Sequence, residues 1–157
     1  MPEKYKPRRL FTIEQANASL PLIRAICGDL ADLSREVTDR RERLSQLLDG
    51  RERKSYGPYN EELIQIEEEL EKDTERLQEY VEELRSLGVE PKNGPEGLVD
   101  FPSLLEGRLV LLCWKLGEPE VLHWHELDAG FIGRQSLTAD SFASGDGAIG
   151  LDGDESA

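Results

Sequence analysis

The sequence is short of sulfur, of aromatic rings and of positive charge. Two cysteines, Cys27 and Cys113, and one methionine are all the sulfur in 157 residues. Two thiols in unrelated elements make no disulfide framework, which points to a reducing, cytoplasmic setting. Aromatic residues at 6% and hydrophobic residues at 38% leave little for a thick core, while charged residues reach 33%. That balance suits long, surface-rich helices. Nineteen Lys and Arg against 33 Asp and Glu give a net charge of −14. Such a surface argues against general nucleic-acid binding, because phosphates need a basic face. No apolar run approaches a membrane span, and the opening MPEKYKPRRL lacks the apolar core of a signal peptide. No phosphate-loop, Rossmann or metalloprotease motif is present.

What is present is unevenly spread. Residues 35–54 hold seven Lys or Arg against five acids, residues 55–87 three bases against eleven acids, and residues 138–157 five acids with no base. The plain reading is solvated helix faces followed by an acidic, disordered tail over 138–157. A basic tip near residues 40–54 is the sharper one. The length is that of a single domain, here spanning 1–137.

Phe11 to Pro21, FTIEQANASLP, opens a helix, with Thr12 as N-cap and Gln15 completing a capping box. Phe11 is placed to staple onto Ala16. Pro21 lacks an N–H, so the expectation is a short helix over 11–19 and a second, long helix over 20–49. In that second helix Ile23, Ile26, Leu30, Leu33, Val37, Arg40, Leu44 and Leu47 step by three and four, a heptad seam broken at Arg40. After a turn through RERKSYGPY, a helix over 58–87 continues with Leu63, Ile66, Leu70, Asp73, Leu77, Tyr80 and Leu84. The expected fold class is α+β and mostly α, built on a long antiparallel helical hairpin of coiled-coil character. Setting Leu47 against Leu63 places Arg40 and Asp73 on adjacent layers, where a salt bridge would fix the register. Each arm should extend about 40 Å. A single apolar stripe per helix invites a second hairpin, which makes self-association as a homodimer or a protein partner the expected company.

Gly88 should end the second helix as a C′ glycine. Residues 97–135 then read as a small antiparallel β unit. RLVLLCWKL, Arg108 to Leu116, and VLHWHEL, Val121 to Leu127, are its hairpin, and LVDFP is an extended piece beside it.

The chain's two histidines, His123 and His125, sit two apart on that returning strand, so they share a face. With an even loop, Leu116 pairs with Val121, Trp114 faces His123, and Cys113 lies on the opposite face. A one-residue bulge would bring Cys113 to the histidines instead. A His-x-His pair on a strand can converge on a divalent transition metal such as zinc, which needs at least a third ligand. Asp128, Glu118 and Asp100 are the acidic choices, and His123, His125 and Asp128 form the metal set. The bland alternative has both imidazoles packed beside Trp114 and bonded to backbone or carboxylates; metal-free acid–base chemistry is a third. Mid-strand, Cys113 reads as a buried, inert thiol. The loop AGFIGR offers backbone amides beside Arg134, an arrangement that binds an anion or ties the loop to an acidic neighbour. Trp114, Glu118 and Arg134 are therefore the ligand-binding candidates.

These blocks, FTIEQANASLPLI and GLVDFPSLLEGRLVLLCWKLGEPEVLHWHELDAGFIGR, resemble the small prokaryotic proteins grouped as domain of unknown function 2203. The resemblance spans roughly residues 10–135. It implies a cytoplasmic protein with long helices and a small strand region, and it brings no catalytic residues with it. Among the positions that match the family pattern are Asp100, Cys113, Trp114, Glu118, His125 and Arg134. Only His125 of the two histidines falls in the shared WHE motif, which turns attention to it, with Glu118, Glu126 and Arg134.

Two readings of function follow. One is a non-enzymatic interaction or scaffold module built on the helical hairpin, with no membrane and no nucleic acid among its partners. The other is a small metal- or anion-binding protein, enzymatic or not, with its site around His125.

Overall fold

Thr12 and Gln15 close the capping box the sequence announces. The Gln15 N–H donates to Thr12 Oγ1 at 2.9 Å, and the Thr12 N–H donates to the Gln15 side-chain oxygen at 3.0 Å. Helix α1 (Ile13–Gly50) starts there and runs without a break. This computed structural model describes residues 6–50 and 58–138. The expected split into a short helix over 11–19 and a long one from 20 does not occur: Pro21 lies inside α1. The proline is exposed, so its ring meets solvent on the outer face. Leu20 and Ile23, on either side of it, are 3% and 1% exposed. A proline in a helix interior costs about 3 kcal/mol. Burying two such side chains returns roughly 1.5–3 kcal/mol each, so packing holds the helix together across the break in its hydrogen bonding.

Helix α2 (Pro58–Ser86) lies along α1. Arg43 pairs with Glu62 at 2.7 Å, and Arg40 pairs with Asp73 and, at 3.4 Å, with Glu69. The partners on α2 climb as those on α1 fall, so the two helices run in opposite senses. The heptad positions are the buried ones: Ile23, Ile26, Leu30, Leu33, Val37 and Leu47 on α1, and Leu63, Ile66, Asp73 and Leu84 on α2. Far from the sheet, among the described residues, a small cluster remains, Leu47, Leu63 and Ile66 with Leu44 and Leu70 against it. The turn expected through RERKSYGPY falls largely on residues 51–57, and the acidic tail on residues 139–157; both lie outside the described residues. The Val89 N–H donates to the Leu84 carbonyl and the Gly88 N–H to Arg85, with Gly88 at φ 90. That is the Schellman ending that a C′ glycine permits.

The strand region is larger than the sequence suggests. Five strands, β1 (Glu90–Asn93), β2 (Leu98–Leu105), β3 (Arg108–Lys115), β4 (His123–His125) and β5 (Gln135–Ser136), form one antiparallel sheet in chain order. Its main hairpin is β2–β3, turned by Glu106 at φ 55 and Gly107 at φ 76. Two positive φ angles in a two-residue loop suit the right-handed twist of the strands. Pro102 sits within β2 because β1 pairs only with Leu98–Asp100 and leaves that edge free. Its carbonyl accepts the Phe11 N–H at 2.7 Å, tying the start of α1 to the sheet.

One sheet face packs on the helices and the other carries polar groups. Val99, Phe101 and Leu105 of β2, with Val110, Leu112 and Trp114 of β3, join Phe11, Ala16, Leu20, Ile23 and Leu84 in the core. Phe11 meets Phe101 edge to face at 5.1 Å. Among the described residues, no helix is long and apolar enough to cross a membrane.

Candidate metal centre

The register of β3 on β4 decides what the outer face can do. The even-loop pairing is not the one formed. Cys113 lies opposite His123, Leu112 opposite Trp124 and Leu111 opposite His125. Residues 116–121 supply the reason. The Leu116 N–H donates to the Gly97 carbonyl, and the Val121 N–H donates to Asn17 Oδ1 on α1 at 2.7 Å, so neither is free to pair with the other. The Trp114 indole N–H and the Lys115 N–H both donate to Glu118, at its carbonyl and its carboxylate. The loop is thus closed on itself, and pairing resumes one residue out of step. A one-residue shift moves a strand to its other face. The histidines consequently join Cys113 on the outer face, while Trp114, opposite Val99 of β2, lies in the core.

Asp100 of β2 stands opposite Cys113, which completes a row of Asp100, Cys113 and His123 on the outer face. His125 is one pair further along. Three potential ligand atoms, one each from Asp100, Cys113 and His125, lie within 4.8 Å of one another. Their exposures are 2%, 1% and 2%. Buried groups of this polarity are rare unless paired or metal-bound.

The imidazole is oriented from behind. His125 Nδ1 is 2.6 Å from the Glu126 carbonyl oxygen, which only accepts, so Nδ1 carries a proton. Nε2 lies 3.1 Å from Asp100 Oδ1. The hydrogen bond to Asp100 raises the His125 pKa above its ordinary value, against a burial cost that lowers it and with help from the Glu126 carbonyl and the Asp100 charge. Burial pushes the Cys113 thiol up to about 12, with Asp100 adding to the rise. Without a cation, then, the thiol stays protonated.

These three residues form the floor of a cleft of about 400 Å³. Lys92 and Asn93 of β1 stand on one side of it. The turn through Asp128 and Phe131 stands on the other. Asp128 is exposed on that wall and outside the buried trio.

The remaining candidates are held elsewhere. Arg134 Nη2 donates to Glu118 Oε1 at 2.9 Å and to His123 Nδ1 at 2.9 Å, and its guanidinium lies 4.5 Å from the Phe131 ring centroid. His123 therefore serves as an acceptor for Arg134, and it lies outside the buried trio. Burial alone would raise the Glu118 carboxyl; the hydrogen bonds from Arg134 and the Lys115 amide, with the Arg134 charge, bring it below its usual value. Arg134 and Glu118 tie the last turn of the sheet to the 116–121 loop. Trp114, 0% exposed, faces the helices with Arg24 over its ring and does not line the cleft. The Glu126 carboxylate pairs with Arg108. Asp100 and Cys113 are legible in the sequence as chemistry; the β2–β3 hairpin pairs them, and the one-residue shift of β4 adds the histidines to their face. Lys92 and Asn93 had no signal beyond a turn-rich run.

The chain matches, over residues 9–137, the family described as an uncharacterized conserved protein, domain of unknown function 2203, and it belongs to that family. No curated protein and no solved structure matches it.

Proposed function

We propose that this family member is a small metal-binding protein, holding one divalent transition-metal ion between Asp100, Cys113 and His125. The observation that carries the reading is the buried convergence of a carboxylate, a thiol and an imidazole within 4.8 Å. A mixed oxygen, nitrogen and sulfur set suits zinc, or iron in the same oxidation state. The Nδ1–H bond to the Glu126 carbonyl is the usual outer support of a metal-bound histidine and leaves Nε2 as the ligand atom. Three protein ligands leave a coordination position for water or a bound molecule, the pattern of reactive rather than structural sites. A metal there would supply Lewis-acid activation of whatever occupies that position.

A cysteine–histidine–aspartate nucleophile relay fits less well. Such a relay puts the acid and the nucleophile on opposite ring nitrogens. Here the Asp100 carboxylate takes Nε2 and a backbone carbonyl takes Nδ1. A thiol pushed up to about 12 is also a poor nucleophile.

Elemental analysis of the untagged protein, beside the Cys113→Ala and His125→Ala variants, tests the reading. Near-stoichiometric metal in the parent and little in either variant is the expected result. Cobalt loading should add a sulfur-to-metal charge-transfer band that Cys113→Ala abolishes. No metal after supplementation with zinc, iron, nickel or manganese would sink it. Asp128→Ala should keep its metal, since Asp128 lies outside the buried trio.

The helices support a second role as an interaction surface. Leu48 and Ile64, 50% and 47% exposed, flank the small apolar cluster far from the sheet. A coiled-coil-like hairpin that continues this seam into a second copy would cover them. Sedimentation equilibrium tests it: a dimer weakened by Leu48→Glu or Ile64→Glu is expected, and a monomer at all concentrations counts against it. A cytoplasmic location suits both roles, because a cysteine ligand persists where thiols stay reduced.

A further inference from the structure

The pairing of β1 with β2 is irregular at one place. Pro91 pairs with Val99 and Asn93 with Leu98, so Lys92 is an extra residue. Such a bulge re-aims side chains and is frequent beside functional sites. Here it sets both Lys92 and Asn93 on the side of the cleft whose floor is Asp100, Cys113 and His125.

Both residues bring donors. Among the described residues, no carboxylate pairs with the Lys92 ammonium. Asn93 Oδ1 is already occupied, accepting the Glu96 N–H at 3.0 Å, which leaves the amide NH2 as the part of the side chain free to bind. An ammonium and an amide NH2 on neighbouring residues of one cleft wall match an oxyanion. A regular strand would have sent one of the two to the helix side, so the irregularity itself creates the pair.

We propose that Lys92 and Asn93 form the oxyanion subsite of the cleft, and that its ligand is a small carboxylate or phosphate that also reaches the metal position. The inference deepens the metal reading and rests on it for the ligand's second attachment. A cleft of about 400 Å³ accommodates a small metabolite rather than a polymer. Asp128, on the opposite wall, is the cleft's carboxylate outside the ligand set. It favours a ligand with a hydrogen-bond donor at its other end and disfavours one carrying anions at both.

Cobalt-loaded protein, its metal content measured first, should be titrated with inorganic phosphate and separately with acetate. Binding is followed by the visible spectrum and by calorimetry. At least one anion should perturb the cobalt spectrum. Lys92→Met should weaken that binding about tenfold or more, the usual loss of a charge-assisted contact, at unchanged cobalt content. Asn93→Asp, which keeps the acceptor for Glu96 and removes the NH2, should weaken it as well. Equal binding by parent and Lys92→Met at full metal content overturns the subsite and leaves the metal reading standing. If no metal loads, the metal reading fails. Calorimetry on the metal-free chain then decides the subsite alone: anion binding lost in Lys92→Met supports it, and no binding overturns it. A stronger response to phosphate assigns a phosphorylated ligand, and a stronger response to acetate a carboxylate.

Discussion

His125 Nε2 lies 3.1 Å from Asp100 Oδ1, with both side chains almost wholly withdrawn from solvent. The contact joins β4 to β2 across β3, so it binds three strands as well as poising two ligand atoms. Breaking a buried pair by deleting one member is costly, because the other is left without a partner. In metal-free protein, Asp100→Ala should destabilise the fold by about 3 kcal/mol. Asp100→Ala with His125→Ala should cost clearly less than the sum of the single changes. Denaturant unfolding in the presence of a chelator measures both. Strict additivity would show that the two side chains do not interact.

Trp114 offers the opposite test: a ligand-binding candidate by sequence, it faces away from the cleft. It is fully buried, and its indole donates to the Glu118 carbonyl at 3.0 Å. Trp114→Ala should cost roughly 3–5 kcal/mol. Trp114→Phe keeps most of the volume and should cost about 1–3 kcal/mol for the unpaired carbonyl. Metal content of the folded Phe variant should match the parent. A Phe variant that folds normally but loses its metal would place the indole in the site after all.

Elements written in local chemistry were readable from the sequence, and those set by an offset were not. The capping box at Thr12, the glycine ending at Gly88 and the seam from Ile23 to Leu84 each depend on residues a few positions apart. The continuity of α1 through Pro21 depends on Leu20 and Ile23 finding a core, which only the tertiary fold supplies. Whether the histidines share a face with Cys113 depends on one residue in the 116–121 loop, and that loop is held in part by Asn17, more than a hundred positions away. Lys92 reads as a turn residue until β1 has a partner and the bulge appears. The candidate site was therefore half visible: its residue types were named, and its assembly waited on register.

Arg40 and Asp73 interrupt the helix seam together. Their side chains are 35% and 13% exposed, and Glu69 shares the arginine. Asp73→Ala alone should destabilise modestly, since it removes the most buried partner of a guanidinium that keeps Glu69 and Glu36. Replacing both, Arg40→Met with Asp73→Leu, should be neutral or stabilising by about 1–4 kcal/mol, as apolar replacements of buried ion pairs often are. The change should also loosen register and broaden the oligomeric distribution. Thermal unfolding and light scattering report the two effects. A double variant less stable than either single one would mean that the pair adds net stability as well as register.

Glu118 gives the clearest dependence on pH away from the buried trio. Its carboxyl is held below the ordinary 4.5: burial acts to raise it, and the Arg134 and Lys115 bonds outweigh that. A carboxyl depressed in the folded state stabilises most above its unfolded value. That contribution fades as pH falls through the folded one. Glu118→Gln keeps an acceptor for Lys115 and removes the charge facing Arg134. At pH 7 the variant should be less stable than the parent, by under about 1 kcal/mol because the pair is partly solvated. The gap should hold down to about the ordinary 4.5 and close below it. Unfolding free energies of both proteins between pH 7 and pH 3 test this. A gap that stays constant or widens in acid would mean that Glu118 acts through shape and hydrogen bonding, and that Arg134 draws its place in the loop from His123 and the Phe131 ring instead.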